Sequence, residues 1–157
     1  VGSEMCIRDS RCGAHARQRH HRGRGRALMA AFESSRRCPC GTGLTYGECC
    51  GKYHAGTNAP TAEALMRSRF SAFVTGDEAY LLRTWDPDTR PATLDLADSP
   101  VRFYRLDILD TQAGGLLDNS GVVEFEAFYK GAAVGSQRER SSFRRVGGAW
   151  VYSSGEF

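Results

Sequence analysis

From Thr61 onward the apolar positions follow two successive periods. Ala62, Leu65, Met66, Phe70, Phe73 and Val74 recur at helical spacing and predict a helix with one apolar stripe. Thr61 is placed to cap it, Glu63 favours its first turn, and Gly76 stops it. Asp77 is placed to cap a second, shorter helix carrying Tyr80, Leu81, Leu82 and Trp85, which ends before Pro87. Residues 86–100 hold Pro87, Pro91 and Pro100 and predict a loop or short helical turn. The period then changes to two. Residues 101–109 set Tyr104, Leu106 and Ile108 on one face. Residues 121–129 set Val123, Phe125, Ala127 and Tyr129 on one face and Glu124 and Glu126 on the other. Residues 134–146 alternate polar and charged side chains, with Phe143 and Val146 apolar. Gly147-Gly148 is a hairpin signal before the strand at 149–153. The expected class is α+β: helices packed on a strongly curved antiparallel sheet.

The first 28 residues break this picture. They have no apolar periodicity and alternate Arg, His and Gly, so they cannot bury enough surface to offset their ordering entropy. Seven Arg against Glu4 and Asp9 give them a net charge of +5, whereas residues 29–157 carry 14 − 16 = −2. The whole chain's +3 is therefore no argument for a nucleic-acid partner. Residues 1–10, VGSEMCIRDS, resemble translated adaptor read-through. The expectation is that residues 1–28 are a disordered, non-native extension before a start at Met29, and that Cys6, Cys12, His15, His20 and His21 carry no function. A basic tail for nucleic acid or acidic partners is the alternative, and a mitochondrial presequence is disfavoured by the missing amphipathic apolar residues. The segment lacks the apolar stretch of a secretory signal, and the expected compartment is the cytoplasm. No run in the sequence approaches the length of a membrane-spanning helix, so no membrane role is expected.

Four cysteines fall within residues 38–50: Cys38 and Cys40 with one residue between them, then Cys49 and Cys50 after eight more. Zinc takes four soft ligands in a tetrahedron, with sulfur at about 2.3 Å. Gly41, Gly43 and Gly47 permit the tight turns that bring the two pairs together and let backbone N–H groups approach the sulfurs. Arg36, Arg37 and Lys52 flank the site and offset the charge of four thiolates on one dication. The expected cofactor is one structural zinc ion on Cys38, Cys40, Cys49 and Cys50. Disulfides are the alternative. Adjacent Cys49 and Cys50 can hardly pair without strain, and cross-pairing between the two halves stays open. His54 is a reserve ligand or an exposed loop histidine.

The run CPCGTGLTYGECCGKYHAG resembles the SEC-C zinc motif, named from the C-terminus of the bacterial translocation ATPase SecA, with Thr42 in place of the usual Ser. LMRSRFSAF, YLLRTWDPDTRP and VEFEAFY are together similar to the YchJ-like family of bacterial proteins. The resemblance implies a small N-terminal zinc hairpin at 37–54, followed at 60–157 by a cone-shaped nuclear-transport-factor-2-like (cystatin-like) domain. Many members of that family have a His-Glu pair before the Ser-x-Phe of the third strand. Here Arg138 stands where His is common, so a catalytic base at that position would be missing.

Within the implied cone, Arg67, Arg69, Asp86, Arg90, Tyr104 and Glu124 are the candidate pocket residues. Each has a bland alternative. Arg67 and Arg69 form salt bridges or a solvated face, Asp86 and Arg90 serve turns, and Glu124 and Glu126 pair across strands with Arg138, Arg140 and Arg144. No Ser-His or Cys-His nucleophile arrangement and no phosphate-binding glycine loop after a strand is present, and no catalytic residue is assigned. The leading expectation is a protein-interaction module: the zinc hairpin presents a surface to a protein partner, while the cone holds a small ligand or forms a homodimer. An enzyme acting on a small molecule in the cone is the second reading. Nucleic-acid or ribosome binding through the zinc motif is the third, and the small basic patch supports it least. A flexible linker over residues 51–60 is expected to uncouple hairpin and cone.

Overall fold

The computed structural model describes residues 31–157. The extension expected over residues 1–28 lies outside them. Three helices precede four strands: α1 (Cys50–His54), α2 (Ala62–Thr75), α3 (Glu78–Arg83), β1 (Val101–Ala113), β2 (Ser120–Gly131), β3 (Gly135–Val146) and β4 (Ala149–Glu156). The strands form one antiparallel sheet in the order β1-β2-β3-β4, each paired with its neighbour in sequence.

The helix ends are set by local chemistry. The Thr61 hydroxyl accepts from the Ala64 N–H at 3.1 Å, and Gly76 closes α2 with a left-handed backbone (φ 78°). Asp77 accepts from the Tyr80 N–H at 3.0 Å and starts α3. Helix α3 stops at Arg83, so Trp85 lies just beyond it. Trp85 instead makes a one-residue parallel bridge with Tyr152 on β4.

The core lies between α2 and the inner face of the sheet. Leu65, Met66 and Phe70 meet Leu106, Val123, Phe125, Phe143 and Trp150, all buried. Each such side chain contributes roughly 1.5–3 kcal/mol on burial. The hairpin turn between β3 and β4 is as expected: Gly147 and Gly148 both have positive φ (58° and 82°) and join Val146 to its partner Ala149. The expected alternation fails in β1. Register shifts between Phe103 and Arg105 and between Ile108 and Asp110 mark bulges. The first turns Phe103 to the core and leaves Tyr104 50% exposed, because one extra residue reverses every face assignment before it.

The knuckle at residues 37–54 packs on this core. Tyr53 joins the main apolar cluster, Ala59 is buried in it, and Gly51 lies inside α1. The expected flexible linker over residues 51–60 is thus replaced by a short helix and an anchored strap.

Candidate metal centre and cavity

A short antiparallel bridge between Arg37 and Thr45 draws the two cysteine pairs together. The Cys38 N–H donates to the Leu44 carbonyl at 2.9 Å, and the Tyr46 N–H to the Arg36 carbonyl at 2.7 Å. Gly41 and Gly43 turn the chain with φ of 84° and 86°, values a side chain disfavours. At Gly51 a Cβ would stand 2.7 Å from the Tyr46 carbonyl oxygen, so only glycine admits this close approach.

The Sγ atoms of Cys38, Cys40, Cys49 and Cys50 lie within 4.8 Å of one another, all four residues are buried, and none forms a disulfide. A tetrahedron with sulfur at 2.3 Å has edges of about 3.8 Å. Cys40 and Cys49 are 3.5 Å apart and Cys49 and Cys50 3.9 Å. The Thr42 hydroxyl lies 3.2 Å from the Cys49 sulfur, and that of Ser71 3.6 Å from the Cys38 sulfur. The electrostatics call for a cation. Hydrogen bonds from the Cys40 and Cys50 thiols hold Cys38 far below the usual thiol range. Through the same contacts Cys40 is pushed up to about 11, and Cys50 is also raised. One thiolate thus disfavours the next, and a bound dication would offset several at once. The donor set fits a soft metal such as zinc and could bind one.

Three groups tie this centre to α2 and α3. Arg67 donates to the Cys40 carbonyl at 3.0 Å and pairs with Glu63 at 2.9 Å. His54 is neither a ligand nor an exposed loop residue. Its Nε2 lies 2.8 Å from the Ser68 carbonyl oxygen and so donates, which leaves Nδ1 to accept from the Tyr46 hydroxyl at 2.6 Å. Burial lowers its pKa, in keeping with the neutral ring this pairing needs. Arg83 donates to the carbonyls of Tyr53 and His54 at 3.3 Å.

A small cavity of about 40 Å³ lies between α2 and the sheet. Of the six candidate pocket residues only Arg69 lines it. Arg67 faces the knuckle. Asp86 is buried in an ion pair with Arg144, accepting from its Nη2 at 2.7 Å, and also accepts from the Ser153 hydroxyl at 2.9 Å. Arg90 is exposed beyond it, its N–H donating to the Asp86 carbonyl at 2.8 Å. Tyr104 is turned outward by the bulge. Glu124 pairs on the outer face with Arg138 at 2.6 Å and Arg140 at 3.8 Å. Glu126 bonds Ser136 rather than an arginine, and Arg144 serves Asp86 rather than β2.

The Arg144 hydrogen bonds hold Asp86 far below the usual carboxylate range. A carboxylate with a depressed folded pKa adds stability above its unfolded value, about 3.9, and loses it as pH falls toward the folded value. Asp86→Asn is therefore expected to melt several degrees below wild type at pH 7, with the gap closing below pH ~3. Thermal melts of both proteins across pH 2–7 check this, and a pH-independent gap contradicts it.

The cavity's polar lining went unread in the sequence: Gln137, Glu139, Ser141 and Tyr152. Two signals were available. Alternation with outward Arg138 and Arg140 puts Glu139 inside, and a glycine stands in β4 at Gly155. A Cβ there would stand 1.8 Å from the Glu139 carboxylate.

Residues 61–155 match the family described as YchJ, middle NTF2-like domain, and residues 37–52 match the SEC-C motif. A UPF0225 protein of Corynebacterium glutamicum is 64% identical over 122 residues, covering 77% of this chain and 97% of that protein. One from Streptomyces coelicolor is 59% identical, over 76% of this chain and 94% of that protein. The solution structure of a SEC-C motif containing protein from Rhodopseudomonas palustris is 36% identical, with a TM-score of 0.66 over 76% of this chain and 96% of the other. The crystal structure of a SEC-C motif containing protein from Psychrobacter arcticus is 27% identical, with a TM-score of 0.64 over 77% and 82%.

Proposed function

The chain belongs to the YchJ-like UPF0225 proteins, and from that membership and its cysteine geometry we propose a zinc-binding protein whose knuckle is an adaptor surface for a protein partner. The carrying observation is the set of four buried, reduced sulfurs within 4.8 Å of one another. Cys38, Cys40, Cys49 and Cys50 would hold the ion, which neutralises thiolates and fixes the knuckle. Four sulfur ligands leave no position for a reacting water, so the role is structural.

What supports the adaptor reading is the outer side of the knuckle. Leu44 is 51% exposed between the two cysteine pairs, and Arg36, Arg37, Lys52 and Glu48 are exposed in the same segment. An exposed apolar residue in a segment whose cations outnumber its acidic side chains suits an acidic protein segment with an apolar side chain. The enzyme reading is weaker, because Asp86, Arg67 and Glu124 are engaged in ion pairs outside the cavity.

Elemental analysis of reduced protein is expected to find one zinc per chain, and cobalt(II) in its place to give the intense visible bands of a tetrahedral tetrathiolate. A photoreactive side chain at Leu44 should capture one discrete protein in cells, and Cys40→Ser should abolish that capture. Metal-free reduced protein sinks the zinc assignment, and capture indifferent to Cys40→Ser sinks the adaptor.

A further inference from the structure

The cavity between α2 and the sheet places opposite charges near each other without an ion pair. Arg69 is 3% exposed and donates through Nη1 to the Leu81 carbonyl and the Thr84 hydroxyl, both at 2.8 Å. Glu139 is 4% exposed and accepts from the hydroxyls of Ser141 at 2.8 Å and Tyr152 at 3.0 Å. As carboxylate and guanidinium the two sum to zero charge, and both line the cavity. Beside Glu139, Gln137 turns its amide N–H toward the carboxylate at 3.4 Å. That orientation is forced, since the carbonyl end would face a carboxylate. The buried Gln137 Oε1 then has no hydrogen-bond partner among the described residues. A buried acceptor without a donor is destabilising, because its lost hydration goes uncompensated. The opposite wall is apolar, built from Met66, Phe70, Phe73 and Phe103.

We propose that this cavity binds a small neutral molecule that presents an N–H or O–H donor to Gln137 and Glu139 and an apolar end to the phenylalanines. The unmet capacity of the polar end is acceptor capacity, which selects a donor. Charge balance selects a neutral one: an ammonium would leave an excess buried cation beside Arg69, and a carboxylate would face Glu139. The small volume selects a compact ligand, a short primary amide or alcohol. Gly155 keeps the Glu139 carboxylate in place from behind, since any side chain there would displace it.

The probe is propionamide, titrated into isotope-labelled, metal-loaded protein and followed by NMR. N,N-dimethylpropionamide, propylammonium and propionate serve as matched controls. The expected result is saturable, millimolar binding of propionamide that shifts resonances of Met66, Phe103 and Gln137. The dimethyl compound, which has no N–H, should bind at least tenfold more weakly, as should both ions. Gln137→Leu should weaken propionamide at least tenfold while its melting temperature stays equal or rises, because the orphan acceptor is gone. No saturable shifts at the cavity overturns the proposal. So does equal binding of the dimethyl compound, preference for either ion, or a Gln137→Leu protein that binds as wild type. The probe series on wild-type protein decides the matter even if the variant does not fold.

Discussion

Stripping the metal, or replacing Cys40 with serine, is expected to lower the melting temperature of the whole protein by roughly 10–15 °C. Independent modules would predict local loss alone, because a knuckle of this length has no apolar core and its fold is metal binding. The packing argues otherwise. The cysteine cluster touches α2 through Ser71, Arg67 and the His54–Ser68 bond, and Tyr53 and Ala59 sit in the main core. Losing the knuckle uncovers that side of α2 and removes about four kcal/mol of apolar burial and charge-assisted bonds. For a domain of this size each kcal/mol is worth about 2–4 °C. Calorimetry with and without chelator reads the shift, and circular dichroism reports whether the sheet persists below the new midpoint. An unchanged midpoint would mean that knuckle and sheet fold independently.

Arg69→Met is expected to cost about 3–5 kcal/mol, the largest effect of any single arginine here. The guanidinium lies 5.1 Å from the centroid of Trp85 and 4.8 Å from that of Tyr152, so it joins α2 to the end of α3 and to β4. Burial pushes its pKa down to about 10, which still leaves it cationic at neutral pH. Methionine fills much of the volume but leaves the Leu81 carbonyl without this donor and Glu139 with an uncompensated charge. Arg67→Met, two residues away, is the control. Its side chain is 24% exposed and its ion pair is of the surface helical type, so a loss near 1 kcal/mol is expected. Urea titrations of the two variants should separate them by more than twofold in free energy. Equal losses would show that Arg69 is no linchpin.

Helices α2 and α3, unlike α1, were legible because their signals are local: Thr61 and Asp77 are caps, Gly76 is a stop, and the apolar stripe from Ala62 to Phe70 repeats at one period. The cysteine set was legible for the same reason, its spacing and glycines lying within thirteen residues. Tyr104 was misplaced because a bulge is a property of a strand pair. Nothing within residues 101–109 announces that Phe128 will face Arg105. His54 was misread because its partners, Tyr46 and Ser68, meet it only after α1 docks on α2. Glu139 escaped because a buried carboxylate and a solvated one look alike in a charged run. Its burial follows from strand phase and from Gly155 on the facing strand. Most of the candidate pocket residues lie away from the cavity, three of them on one physical point: their charges are engaged elsewhere, Asp86 and Glu124 by arginines of β3 and Arg67 by the knuckle.

The one-residue bridge between Trp85 and Tyr152 has a consequence for the protein in a crowded solution. An open sheet ends in two rows of unpaired amide groups, each a template for another chain's strand. On β4 the middle of that row is occupied. Tyr152 donates to the Thr84 carbonyl at 2.9 Å, the Asp86 N–H donates to the Tyr152 carbonyl at 2.8 Å, and the Thr89 hydroxyl donates to the Ser153 carbonyl at 2.8 Å. Among the described residues the outer row of β1 has no strand partner, and it is poorly shaped for one: two bulges bend it, and Arg105, Asp107 and Asp110 place charges along it. An intruding strand finds one edge taken and the other crooked and charged, so the residues that brace Arg69 and Asp86 also guard the sheet against self-association.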